Sequence, residues 1–376
     1  RDACRGGHHA PSIRRIGASR AVLQHLLVIL TALGVTLAAT PLVRLVGSWL
    51  GIVAHSGGRN VHKGSVPRIG GVAIFTGFIA AVLLRYLGER LWSWPPALTL
   101  LGEPVLGVLG GLTLMFAVGL LDDVVDLTPG QKAVGQIVAG AIAFAAGVRI
   151  DFVGNPMGGG LLLLGVLSLP VTLFWMVGFA NVVNLIDGLD GLAAGVTAIA
   201  AISLLVLAEE TNQPLAAVFA AALVGACIGF LRFNFHPASI FMGDSGALFL
   251  GFSLACIALL GVMKSVAAIT LVVPLLILGV PVFDTFSAIV RRRRQGRPFH
   301  EADKGHIHHR LLGRGFSQRQ TVLIIYVWSI ALAVGGYAMR WVAPTFKVVT
   351  FVILAGLSGL MAHWLGLFEA AHHDED

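Results

Sequence analysis

Apolar runs of about twenty residues recur along the chain, separated by short polar loops, and each run is continuously apolar where a strand would alternate. About eleven such cores are legible: 21 to 46, 69 to 91, 104 to 121, 133 to 149, 161 to 182, 191 to 208, 214 to 231, 246 to 262, 267 to 290, 320 to 339 and 346 to 367. Barrel strands would alternate over about ten residues, so the runs read as helices. The expected fold is all-α, a polytopic integral membrane bundle of about 10 to 11 transmembrane helices. A single transmembrane domain would occupy 21–367, with a basic tail at 1–20 and a short tail at 368–376.

Composition sharpens this reading. Of 376 residues, 56% are hydrophobic and 12% charged, with a mean hydropathy of +0.86, outside the range of soluble domains. The net charge of +7 fits the positive-inside bias of membrane proteins better than a nucleic-acid partner. Cys4, Cys227 and Cys256 form no CxxC pattern, and two of them lie in apolar runs, so neither a zinc knuckle nor a disulfide framework is expected.

If the spans alternate in direction, the loops 55–68, 122–132, 184–191, 232–245 and 291–319 share one face. They hold fourteen Lys and Arg, against six in the opposite loops, which makes their face cytoplasmic. Arg14, Arg15 and Arg20 in the tail run against the rule.

The same five loops hold the candidate chemistry. Asp122, Asp123 and Asp126 follow directly on an apolar run, and carboxylates so spaced are hard ligands of the kind Mg²⁺ takes. Asn181, Asn184, Asp187 and Asp190 recur at steps of three, one polar face of a helix that opens into a turn at Gly188 and Gly191. Asp244 stands before another apolar run, where a helix N-cap is the plain alternative. No Walker A motif is present and no GxGxxG follows a strand.

The basic loops carry Arg59, His62, Lys63 and Arg68, then an "RRRR" run assigned to topology and the lipid surface, then "KGHIHHRLL" with His306, His308 and His309. A zinc site could draw on those imidazoles. Adjacent His308 and His309 should diverge on a regular element, however, and Lys304, Arg310 and Arg314 crowd the place with positive charge. A phosphate or diphosphate suits the cluster better. Acidic metal ligands and basic anion ligands on one membrane face describe phosphoryl transfer between a soluble nucleotide and a lipid.

Five ordered stretches, "VHKGSVPRIGG", "GLLDDVVDL", "NVVNLIDGLDGLAAG", "FNFHPASIFMGDSGALFLG" and "HIHHRLL", resemble the polyprenyl-phosphate N-acetylhexosamine-1-phosphate transferase family (glycosyltransferase family 4), over about residues 25 to 345. The resemblance implies transfer of GlcNAc-1-phosphate from UDP-GlcNAc to undecaprenyl or decaprenyl phosphate with release of UMP. The implied setting is a bacterial plasma membrane at the start of cell-envelope glycan synthesis. It implies Mg²⁺, with Mn²⁺ as a substitute, and the two substrates and the membrane as partners; a homodimer is compatible with it, and nucleic acid is not implied. By resemblance, Asp122 and Asp123 are catalytic, Asp244 and Asp187 are metal ligands, and Lys63, Asn181, Asn184, Asp190, His306, His308, His309 and Arg310 bind substrate. The phospho-MurNAc-pentapeptide branch carries three consecutive histidines, whereas this chain has the interrupted "HIHH". That branch stands as an alternative, beside a membrane transporter and a zinc hydrolase from other classes.

Overall fold

The apolar runs fold as helices because a backbone surrounded by lipid must satisfy its hydrogen bonds within its own segment. The computed structural model describes residues 10–54, 66–99, 104–154, 160–262, 275, 279–294, 307–339 and 341–364. Its helices are α1 (Ala10–Trp49), α2 (Gly71–Leu91), α3 (Val105–Val125), α4 (Pro129–Ala145), α5 (Ser168–Ile186), α6 (Leu192–Glu210), α7 (Pro214–Asn234), α8 (Gly243–Val262), α9 (Gly279–Arg294), α10 (Ile307–Gly313), α11 (Gln318–Ala338) and α12 (Pro344–Trp364). Two short antiparallel pairs join them: β1 (Val53–Ala54) with β2 (Val66–Pro67), and β3 (Phe152–Gly154) with β4 (Leu161–Leu163).

Eight described helices are long and apolar enough to cross a membrane, so the chain is a multi-pass membrane protein. Helix α4 has 17 residues, about 25 Å at 1.5 Å per residue. It still crosses, because the end of α3 and the end of α5 meet at the same end of the bundle. Exposed tryptophans stand at helix ends, Trp49 and Trp364 toward one end and Trp92 and Trp341 toward the other, as an interfacial aromatic belt requires.

Helices α7 and α8 form the enclosed centre, their side chains almost all buried. Helix α1 reaches α7 through Gly225 and Gly229, where a Cβ would overlap the carbonyls of Ile29 and Leu33; small residues four apart allow backbones this close. Between α2, α3 and α8 the core is aromatic, with Phe75 stacked on Phe116 at 4.2 Å and Phe78 edge-on to Phe249 at 5.3 Å.

Charge at one end of the bundle is used for closure. Arg85, which with Arg90, Arg149, Lys264, Arg340 and Lys347 makes up the six cations counted for the opposite loops, lies buried within α2 beside Glu89 (3.3 Å) and donates to the carbonyl of Pro95 at 2.5 Å. Glu89 accepts from the backbone N–H groups of Ala97, Leu98 and Thr99, which ties the loop after α2 back over the helix. At the same end, His25 meets Glu209 at 3.4 Å, and Tyr337 bonds Glu210. The described residues of the motif loops gather at the opposite end.

Candidate active site

Helix α3 stays apolar to Leu121 and then brings Asp122 and Asp123 round in its last turn. Gly119 lets α8 pass so closely that a Cβ would overlap the carbonyl of Asp244. Asp123, buried, spends both carboxylate oxygens on the start of α8, accepting from the N–H of Asp244 (2.8 Å) and of Ser245 (3.0 Å). It therefore caps a helix more than a hundred residues away, and the helix dipole favours its negative charge there. Arg68 fastens the end of α3, donating to the Asp123 carbonyl (3.1 Å) and to Asp126 (2.7 Å).

Helix α4 begins with a capping box, Thr128 and Gln131 exchanging bonds with each other's backbone, and with Pro129 in the first turn. Lys132 thus stands in a helical first turn, where the sequence reading had a loop. Its ammonium bonds Asp122 at 2.9 Å and also Asp244, whose other oxygen accepts from Asn184 at 3.0 Å. The second Asp122 oxygen accepts from the N–H of Leu127 at 2.9 Å. One turn further along α4, Gln136 and Asn181 pair their amides, with bonds of 2.7 and 3.4 Å. Asn181 is thus placed against a neighbouring helix, one turn below Asn184.

Helix α5 ends at Ile186, and Asp187 to Gly191 form the turn that leads into α6. Among the described residues no hydrogen bond reaches the Asp187 carboxylate. Burial, with Asp123 and Asp190 close by, pushes its pKa up to about 7. Asp190 is buried and accepts from the N–H of Ala238 (3.0 Å), and His236 Nδ1 lies 2.8 Å from it. This brings the turn against the loop before α8, and Asn234 joins the two again by accepting from the Gly191 N–H (3.1 Å) and donating to the Ile240 carbonyl (3.0 Å).

The basic half arrives on α10. Its first residue, Ile307, donates its N–H to Asp284 of α9 at 2.9 Å. His308 is buried over Gly188, where a Cβ would come within 2.6 Å of its Nε2. His309 is exposed and Arg310 partly buried. The expected divergence of the two imidazoles does not occur: their centroids lie 4.3 Å apart, the short helix turning both rings to the same side. Lys63 and His306 lie outside the described residues. The "RRRR" run, assigned above to the lipid surface, ends α9 with Arg291 and Arg292 buried in the protein.

Among the described residues no three His, Cys, Asp or Glu side chains converge as a ready metal cage. The donors fit Mg²⁺ nonetheless, since that ion uses one or two carboxylates and completes its shell with water and substrate phosphate. Among the described residues Asp187 has no hydrogen-bond partner, and it sits among like charges that a cation would relieve, while Asp244 and Asn184 are joined in the same cluster. Lys132, Gln136, His236 and Tyr326 were not singled out from sequence as site groups, and Arg68 was named only as a cation of a basic loop. For Lys132 and Gln136 the signal was present, since they lie four apart on the polar side of an otherwise apolar helix.

The family model described as glycosyl transferase family 4 matches residues 105–262, the stretch that holds Asp122, Asn184, Asp187 and Asp244. A probable undecaprenyl-phosphate N-acetylglucosaminyl 1-phosphate transferase of Bacillus subtilis is 36% identical over 331 residues, covering 86% of this chain and 88% of the relative. A decaprenyl-phosphate N-acetylglucosaminephosphotransferase of Mycolicibacterium smegmatis is 39% identical over 356 residues, covering 87% and 85%. A phospho-N-acetylmuramoyl-pentapeptide-transferase of Halalkalibacterium halodurans is 32% identical over 277 residues, covering 72% and 81%. Similarity of this extent, running through the residues that build the site, means that the chain belongs to glycosyl transferase family 4, the polyprenyl-phosphate N-acetylhexosamine-1-phosphate transferases.

Proposed function

We propose that this protein transfers GlcNAc-1-phosphate from UDP-GlcNAc to a polyprenyl phosphate, releasing UMP, at the cytoplasmic face of a bacterial plasma membrane. The observation that carries the reading is the cluster of Asp122, Lys132, Asp244 and Asn184 at one end of the helical bundle, where a lipid phosphate and a soluble nucleotide can meet. A transport path would distribute its polar groups through the depth of the spans. Here the aspartates of the motifs, Asp122, Asp123, Asp187, Asp190 and Asp244, collect at one end.

In the reaction a lipid-phosphate oxygen bonds to the sugar-bearing phosphorus in line with the bond to UMP, which breaks. Asp187 and Asp244, with the Asn184 amide oxygen, would hold Mg²⁺, which when bound neutralises diphosphate charge. Lys132 exchanges its carboxylate partners for substrate phosphate and keeps the acidic cluster from repelling it. Asp123 holds the start of α8, and so Asp244, in register. His309 and Arg310 bring donors toward the diphosphate from α10. Both oxygens of Asp122 and of Asp123 already accept hydrogen bonds, which lowers their nucleophilicity, suits positioning and favours direct attack by the lipid phosphate over a phospho-enzyme.

The test is UMP release by purified protein given polyprenyl phosphate and a panel of UDP-sugars that includes UDP-MurNAc-pentapeptide, with EDTA and then Mg²⁺ or Mn²⁺ added back. Release from UDP-GlcNAc that EDTA stops and Mg²⁺ restores is expected. No UMP with any donor under any divalent cation would sink the proposal.

A further inference from the structure

We infer that Tyr326 is a positioning residue for this transfer: its hydroxyl ties the turn carrying Asp187 and Asp190 to α11, the helix that continues the basic half of the site. The inference rests on the proposed function. Tyr326 donates to the carbonyl of Gly191 at 2.6 Å. A half-buried tyrosine hydroxyl commonly finds some partner, so the choice of partner is what needs a reason. The Gly191 carbonyl already accepts the N–H of Gly195 at 3.0 Å within α6 and has no unmet need.

What the bond adds is a second grip on a residue whose backbone conformation glycine alone adopts readily. Gly191 has φ +81°, a left-handed conformation that side-chain-bearing residues avoid, and its N–H is held by Asn234 of α7. Side chains from α7 and α11 therefore hold its two polar groups from separate helices. Gly195 makes the room, since any Cβ there would overlap the Tyr326 ring and hydroxyl. Glycine within a helix costs backbone entropy relative to alanine, so the notch is not free. Seven residues earlier on the same helix, Arg319 donates twice to the His236 carbonyl (3.2 and 3.1 Å), and His236 contacts Asp190. Helix α11 thus holds both the turn and the loop packed on it. Its own start is fixed by the Ser317–Gln320 capping box four residues after α10, so the imidazoles and the aspartate turn share one rigid mount.

Tyr326→Phe removes one oxygen and keeps the ring. With the full chain in lipid vesicles, UMP release should show KM for UDP-GlcNAc and the Mg²⁺ concentration for half-activation each raised about three- to tenfold, the range of one lost hydrogen bond. KM for polyprenyl phosphate should stay where it was, and the melting temperature should fall by about 2 °C at most. Amide exchange across residues 187–191, measured without substrate, should quicken. Unchanged constants with unchanged exchange, or a fall in kcat alone that tracks a lower melting temperature, would overturn the inference. Gly195→Ala supplies the second arm, because it should displace the hydroxyl and damage the same constants, and Tyr326→Phe added to it should cost little more. Full additivity would also count against the coupling. Wild-type protein that releases no UMP defeats the proposed function itself, whereas active wild type with an indifferent Y326F defeats only the role of Tyr326.

Discussion

Asp122, Asp123, Asp187 and Asp244 are the same residue type at one membrane end, yet their partners divide them. Asp244→Asn and Asp122→Asn each remove a charge that Lys132 contacts, and each should lower UMP release at least about a hundredfold in protein that still inserts; near-normal rates would remove that residue from the mechanism. Asp123→Asn should behave differently, because an amide cannot accept both α8 N–H groups: activity and melting temperature should fall together, by about 1 to 3 kcal/mol in stability. Asp187 makes a pH prediction. Its folded pKa of about 7 lies above the ordinary 3.8, so between those values the unfolded chain gives up this proton first, and folding loses stability as pH rises from about 4 to about 7. In metal-free protein, Asp187→Asn should match the wild type near pH 4 and melt higher above pH 7. Wild type that melts no lower than the variant at pH 8 would contradict the burial and charge assigned to Asp187. The sequence displayed every one of these carboxylates. It could not display that Asp123 accepts backbone N–H groups from the start of α8 and Asp190 one from the loop before it, because such partners are set by helix packing and leave no periodicity.

Helix α4 shows how an element can hide half of its task. Its apolar residues mark a span, but Lys132 and Gln136 face inward on successive turns, one to the carboxylates and one to Asn181. The steps-of-three spacing put Asn181 on one polar face with Asn184, and the family resemblance made it a substrate ligand; the structure sets its amide against Gln136, while the next turn, Asn184, reaches Asp244. A double-mutant cycle with Gln136→Leu and Asn181→Leu, scored by melting in detergent, should show a favourable coupling of about 0.6 kcal/mol, the usual size of an interhelical hydrogen bond in a membrane protein. Zero coupling would mean that the pair is not formed. Thr128→Ala should cost about 1 kcal/mol through the lost cap and also loosen Lys132 four residues on, so its effect on KM should exceed that of a cap remote from the site.

At the scale of the whole molecule, the alternation of charge between loops and the alternation of helix direction make the same statement. The end of α3, the start of α4, the end of α5, the start of α6, the end of α7 and the start of α8 all meet at one end. The pairs Arg85–Glu89, His25–Glu209 and Tyr337–Glu210 meet at the other. That ordering was legible because hydropathy fixes the spans and each span reverses direction; the buried Arg85 was not, since a cation within an apolar run reads as a loop end until its Glu89 partner is seen. Fourteen Lys and Arg stand in the motif loops against six in the opposite ones, and with the positive-inside rule the proposed transfer expects that end in the cytoplasm. Sidedness can be tested on protein whose described native cysteines, Cys227 and Cys256, are buried in the bundle, once Cys4 is replaced by serine. A cysteine at Gly130, in the open first turn of α4, should resist a membrane-impermeant maleimide in intact cells and react after permeabilisation. One at Ser93, beyond α2, should react in intact cells. The reverse pattern would place the carboxylates outside, where UDP-sugars are not supplied, and would defeat the proposed transfer at the level of topology before any kinetic measurement.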